Sequence, residues 1–257
     1  MTNRHFVSSM ETLNDFPGMY VITPGTYGST HQFASDKKVF GRYSHKAWIL
    51  GANDVNNDST SGYLPHRGYP TVQFQTTSGG VFNTPCMVTL WVYLDISLSA
   101  RGTGHIDDWF SFETFTTDPT NNWSRTITIN VNPDGYVRLV HVPGQNDQTY
   151  IYQATSATDP SGSLLYPMRQ WVRLDAYLDF SPTGGYAKVW QNKQLVSYAS
   201  VVDVNGTLAQ AHFGLYASAA VASGTVWNDE LRIVEVANEV SAMQWLHDDL
   251  PVIPTGH

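Results

Sequence analysis

Cysteine is nearly absent. Cys86 is the only one in 257 residues, so no intrachain disulfide forms, and neither a Cys-x-x-Cys pair nor a Cys/His metal spacing exists. It precedes the apolar run 87–94, the setting of a plain buried thiol rather than a reactive one. Charge is also scarce, at 14% of residues, and the 14 Lys and Arg are outnumbered by 22 Asp and Glu. A net charge of −8 with no basic run or stripe argues against nucleic acid or an anionic membrane surface as the partner. No apolar stretch approaches the roughly 20 residues of a membrane-spanning helix. The first residues lack the apolar centre of a signal peptide, which leaves a cytoplasmic protein or one whose export signal is missing from this sequence.

Several catalytic signatures are missing as well. There is no Gly-x-Ser-x-Gly elbow for a serine hydrolase. The polar stretch 53–62 is rich in Asp and Asn but does not have EF-hand spacing, and reads as a solvated loop. No repeat of fixed period is present.

What is abundant is aromatic: 13% of the chain, with 8 Trp and 14 Tyr. Apolar residues recur with period two at 69–75, 88–96, 109–116, 125–131, 136–142, 171–180, 186–190, 195–200, 208–217 and 225–236, with a shorter stretch at 47–50. Turn formers separate them, most clearly Asn132-Pro133-Asp134-Gly135, where Pro presets φ and Gly accepts φ > 0. Only 237–248 has a helical pattern. Eleven to thirteen strands with almost no helix predict an all-β fold, a jelly-roll sandwich of two antiparallel sheets. No break in composition divides the chain, so a single domain over 1–257 is expected, with an irregular segment at 1–30 and a helix-bearing tail at 237–257.

The most informative segment is Gln210-Ala211-His212-Phe213-Gly214-Leu215-Tyr216. Alternation puts Gln210, His212 and Tyr216 on one face and Ala211, Phe213 and Leu215 on the other. An amide, an imidazole and a phenol in a row are costly to bury and useful for lining a groove.

From Trp171 to Val236 the chain resembles the concanavalin A-like lectin/glucanase sandwiches. The residues that carry this are the hairpin Gly185-Tyr186-Ala187-Lys188-Val189-Trp190-Gln191-Asn192, then His212-Phe213-Gly214-Leu215-Tyr216, then Asn228-Asp229-Glu230-Leu231-Arg232-Ile233. More narrowly, 210–216 is similar to a signature strand of jelly-roll polysaccharide lyases of the alginate-lyase and glucuronan-lyase kind. Gly214 and Tyr216 match, while Gln210 and His212 stand where that family has Tyr and Lys. His66-Arg67-Gly68-Tyr69-Pro70 takes the place of its Arg-containing strand without the acidic residue, and Leu139-Val140-His141 that of its His-terminated strand.

The resemblance implies β-elimination on a uronate-containing polysaccharide, in a groove on the concave sheet. That reaction needs a base, an acid and groups that neutralise the sugar carboxylate. Tyr216 is the expected acid and His141 or His212 the expected base. Arg67, Gln210 and Lys188 would face the carboxylate, and Tyr69, Gln73, Asn130 and Trp190 would add sugar contacts. No cofactor is required, and a structural calcium is expected on Asp229 with Glu11 or Asp15 if the termini meet. The expected partner is an acidic or neutral polysaccharide, met by a secreted or periplasmic monomer.

Two rival readings remain. A non-catalytic carbohydrate-binding module would use exposed rings among Trp109, Trp123, Trp171, Trp190 and Trp227. A glycoside hydrolase would need two carboxyl groups, with Glu113 and Asp175 or Asp179 available, but no Glu-x-Asp-x-x-Glu spacing occurs.

Overall fold

The computed structural model describes residues 4–12, 19–54, 64–77, 79–120, 123, 125–142, 151–152, 164–202 and 204–248. Among them are the strands β1 (His5–Ser8), β2 (Met19–Val21), β3 (Ser29–Ala34), β4 (Ser44–Ile49), β5 (His66–Gly68), β6 (Pro70–Gln73), β7 (Phe82–Asn83), β8 (Cys86–Ile96) and β9 (Phe110–Thr116). The second half adds β10 (Thr126–Val131), β11 (Val137–Val142), β12 (Ile151–Tyr152), β13 (Trp171–Asp179), β14 (Gly185–Gln191), β15 (Gln194–Val201), β16 (Thr207–Leu208), β17 (Gln210–Ala217) and β18 (Gly224–Glu235). One helix, α1 (Glu239–Asp248), follows. The eighteen described strands exceed the expected eleven to thirteen because short pairings such as β1, β2, β5, β7 and β16 carry too few residues to show a period. Two of these, β1 and β2, fall within the first thirty residues.

Two antiparallel sheets form the sandwich. The first runs β15-β14-β13-β8-β18-β4-β3, with β1 beside the far end of β18. The second runs β12-β11-β10-β9-β17-β6-β2, with β5 also paired to β17. Val88, Leu90, Val92 and Leu94 of β8 face Phe110, Phe112, Phe115, Phe213 and Leu215 across the interior. The period of two expected over 171–180 is seen in β13, where Val172, Leu174, Ala176 and Leu178 all enter this core. Helix α1 covers part of the first sheet's outer face, packing Ala242 and Leu246 over Met87, Tyr177 and Trp190.

The turns follow their local chemistry. Gly135 closes the β10–β11 hairpin at φ +80°, and its N–H donates to the Asn132 carbonyl at 2.9 Å. Asn192 and Lys193 join β14 to β15 with both φ values positive, which suits the right-handed twist of a two-residue hairpin. Cys86 opens β8 fully buried, and burial raises its thiol pKa, as expected of a structural cysteine.

Candidate functional site

The outer face of the second sheet is polar. Register fixes three rows across it. The first is Arg138, Asn130, Ser111, Tyr216 and Arg67, from β11 to β5. The second is Thr128, Thr114, His212 and Thr71, and the third Thr126, Thr116, Gln210 and Gln73. Neighbouring strands lie about 4.8 Å apart, so each row presents hydroxyls, amides and charges at short, regular intervals. The opposite face of the same strands is the apolar core.

A bulge sets the centre of this face. The β17–β9 register shifts between Phe213 and Tyr216, where Gly214 has φ +136°. A Cβ at Gly214 would lie 2.9 Å from the Gly68 carbonyl oxygen and 3.1 Å from Tyr69 Cβ, so only glycine lets β5 and β17 approach this closely. Tyr69 then lies flat on His212, with ring centroids 3.9 Å apart. Trp123 covers His212 from 5.0 Å, and Tyr216 meets it edgewise at 5.5 Å. Trp109 packs against Tyr216 at 4.9 Å.

His212 is only 6% exposed. Burial, helped by the Arg67 charge, pushes its pKa down to about 3, so the imidazole is neutral at ordinary pH. Neither ring nitrogen has a hydrogen-bond partner among the described residues.

Arg67 is held by its backbone. The Ser29 hydroxyl donates to its carbonyl at 2.6 Å and accepts from its N–H at 3.1 Å. Next to it, His66 is anchored through its ring nitrogens to the Val221 and Tyr27 carbonyls. The Arg67 guanidinium lies 4.9 Å from the Tyr27 ring centre and 5.9 Å from that of Tyr216. Gln210 is tied down as well. Its amide donates to the carbonyls of Asp118 and Thr120 and accepts from Gln73, so it braces the loop after β9.

Of the residues singled out from sequence, the structure gathers Arg67, Tyr69, Gln73, Gln210, His212 and Tyr216 around β17, with Asn130 two strands away in the Tyr216 row. His141 points the other way, on the core side of β11 with Val137 and Leu139, opposite Ile127. Lys188 and Trp190 sit on the first sheet beside α1, where Lys188 pairs with Glu239 at 2.5 Å.

Asp229 and Glu11 both serve the loop after β3. Asp229 accepts from the N–H groups of Val39 and Phe40, and Glu11 from those of Arg42 and Tyr43. One oxygen of each carboxylate expected to hold calcium, Asp229 Oδ2 and Glu11 Oε1, thus accepts two amides, and no group of three His, Cys, Asp or Glu that could hold a metal occurs among the described residues. Asp15 and most of the 53–62 loop lie outside the described residues.

The hydrolase carboxyls do not converge either. Glu113 is fully buried on the core side beside Ile129 and Phe213, while Asp175 is on the outward side of β13, bound to Arg173 and Thr89. Asp179 caps Ser181. Sequence reasoning missed Ser111, Thr114 and Thr71, whose positions in the rows depend on strand pairing alone.

No family model matches the chain, and no curated protein matches it. Among solved structures, an endo-β-1,4-glucuronan lyase from the fungus Trichoderma reesei is similar at a TM-score of 0.60, over 90% of this chain and 95% of that one, with 13% identity. Cellulose induced protein Cip1 is similar at 0.57, over 90% and 97%, with 14% identity. The receptor-binding domain of botulinum neurotoxin type G follows at 0.51, with 94% of this chain covering 50% of that one at 12% identity. At these identities the likeness shows the fold alone, a jelly-roll sandwich of two antiparallel sheets, as expected from the sequence.

Proposed function

We propose that this chain is a polysaccharide lyase that cleaves a uronate-containing polymer laid across the outer face of the second sheet. The observation that carries this reading is the placement of Arg67, Tyr216 and His212 on one face, with Arg67 and Tyr216 as direct register partners. Arg67 meets the uronate carboxylate and acidifies the neighbouring carbon-bound proton at C5. His212 accepts that proton, the electron pair forms the C4=C5 double bond, the C4–O bond breaks, and the departing oxygen takes a proton from the Tyr216 hydroxyl. A uronate bound at Arg67 also offsets the positive field that helps hold the imidazole neutral, which strengthens it as a base. Ser111, Asn130, Thr114 and Thr71 supply hydrogen-bonding groups for sugar hydroxyls along the rows. The similarity in fold to a glucuronan lyase supports the same reading. A polymer substrate of this kind places the protein outside the cell; no helix among the described residues is long and apolar enough to cross a membrane.

A second reading, sugar binding without cleavage, draws on a specific observation: Tyr69 and Trp123 both pack against the imidazole of His212. One experiment separates the two. The protein is incubated with glucuronan, alginate, ulvan and a heparinoid while the ultraviolet absorbance of the unsaturated product is followed. Absorbance that rises with one of them is the expected result. Binding to those polymers without any unsaturated product would replace the lyase reading with the binding one.

A further inference from the structure

The part of the first sheet's outer face that α1 leaves uncovered carries its own row. Register aligns Gln32, Lys46, Trp227, Tyr93 and Trp171 across β3, β4, β18, β8 and β13. Their chain neighbours Ala47, Val226, Val92 and Val172 lie in the core, so this row faces away from it. Trp227 and Tyr93 meet edge to face at 5.3 Å, and Tyr93 and Trp171 at 5.8 Å. Tyr93 and Trp171 are half-buried, so their rings remain partly open to solvent, while the loop after β3 packs over Trp227 and lays Lys37 on the Tyr93 ring.

The charge here is opposite in sign to that of the chain. Lys37, Lys38 and Lys46, three of only five lysines in a protein of net charge −8, cluster at this end of the sheet. Lys37 Nζ lies 4.5 Å from the Tyr93 ring centre, and Lys46 Nζ 4.9 Å from that of Trp227. The acids of this face are engaged: Asp36 with Lys46 at 2.6 Å and the Trp227 indole N–H at 3.1 Å, Asp95 with Arg169 at 2.8 Å, and Asp229 with the Val39 and Phe40 amides. At the β3–β4 edge the row runs into a shallow, solvent-open depression lined by Gln32, Phe33, Tyr43 and Lys46 among others.

We propose that this face is a second binding site for an acidic polysaccharide, with sugar rings against Tyr93 and Trp171, and carboxylates at Lys37 and Lys46. Rings offer apolar faces to sugars, and the Lys37 ammonium is positioned by the Tyr93 ring, while Lys46, although paired with Asp36, keeps further N–H groups to donate. The choice of ligand rests on the reading of the chain as polysaccharide-directed. Two sites on opposite sheets would let one molecule hold a polymer at one face while working at the other, with the gain in retention that linked binding gives.

The test uses the intact chain and glucuronan as the probe, with neutral dextran as control, in affinity electrophoresis at low salt. A Lys37→Gln/Lys38→Gln/Lys46→Gln variant and a Trp171→Ala variant are compared with an Arg67→Ala/Tyr216→Phe variant, each checked for folding by circular dichroism. Expected is a loss of glucuronan retention on the order of tenfold in the outer-face variants, shrinking as salt is raised, with turnover of short oligomers unchanged. The Arg67/Tyr216 variant should lose turnover and keep much of its retention. Retention equal to wild type in both outer-face variants overturns the proposal, as does complete loss of retention in the Arg67/Tyr216 variant. Stronger retention by single-stranded nucleic acid than by glucuronan overturns it too, as does a dimer in ultracentrifugation that the lysine variant abolishes. If wild type turns over no polymer, the lyase reading falls, while outer-face variants that lose retention still support this second site.

Discussion

Tyr69 lies flat against His212, with ring planes 18° from parallel and centroids 3.9 Å apart. This contact, with Trp123 on the imidazole as well, removes His212 from water and keeps it neutral. His212 is therefore expected to show no titration between pH 5 and 8 by proton NMR of the folded protein. Because its folded pKa of about 3 lies below the unfolded value of about 6.5, its contribution to stability is present above pH 6.5 and lost as pH falls toward 3. Tyr69→Ala should restore a titration near neutrality. A native midpoint above about 6 for His212 in the unmodified protein would contradict this account.

Under the lyase reading, Tyr216→Phe is expected to lower kcat by about a hundredfold or more, the usual size of a lost general acid, with little change in fold stability. Arg67→Ala should lower turnover of uronate polymers as well. Steady-state kinetics on whichever polymer yields unsaturated product checks both, and full activity in Tyr216→Phe would remove that residue from its role.

Gly214→Ala forces a side chain into a φ of +136° and to within 3.1 Å of Tyr69 Cβ and His45 Cε1. A loss of about 2 kcal/mol or more is expected in urea denaturation, because both strain and collision act at once. Since the collision pushes on Tyr69, the His212 environment should change with it. Unaltered stability would mean that β5 and β17 are not held as closely as described.

Glu113 is fully buried, and its two carboxyl oxygens have no hydrogen-bond partner among the described residues. Burial, with a lesser contribution from the Asp175 charge on the other sheet, drives its pKa well above the ordinary range, so the folded protein holds a proton that the unfolded chain releases. The sign follows: stability from this group is full below about pH 4.3 and falls as pH rises toward the folded pKa, by about 1.4 kcal/mol for each pH unit crossed. Glu113→Gln should therefore gain stability relative to wild type at pH 8 compared with pH 4.5. Denaturation curves at the two pH values decide it, and parallel pH profiles would count against a buried neutral acid.

Asp229 and Glu11 each hold two successive amides of the loop after β3. Asp229→Ala leaves the Val39 and Phe40 N–H groups without their acceptor, a cost of about 1–3 kcal/mol for each one that stays buried. Thermal melts should show that cost, while added calcium or a chelator leaves the wild-type Tm unchanged. A calcium-dependent rise in Tm that Asp229→Ala removes would return these carboxylates to a metal site.

Much of the sandwich could be read from the chain because its long strands alternate cleanly. β13 shows its apolar set at 172, 174, 176 and 178, and β17 separates Ala211, Phe213 and Leu215 from Gln210, His212 and Tyr216. β11 could not be resolved this way. Val137 and Leu139 lie on one face and Val140 and Val142 on the other, so alternation alone does not say which side His141 takes, and pairing with Ile127 turns it inward. Glu113 was misleading for a related reason. Bulges at Ile129/Asn130 and Phe213/Tyr216 let Phe112 and Glu113 both serve the core side, which a strict period of two forbids.

The stretch from Gln210 to Tyr216 by itself determined that one strand carries a polar face over an apolar one, because side chains alternate along any strand. Only the tertiary structure decided what stands beside that face. Arg67 joins Tyr216, and Ser111 and Asn130 extend its row, while Lys188, Trp190 and His141 fall elsewhere. The physical reason is that a row across a sheet is set by hydrogen-bond register between strands far apart in the chain, and register is fixed by packing of the whole sandwich rather than by any local pattern.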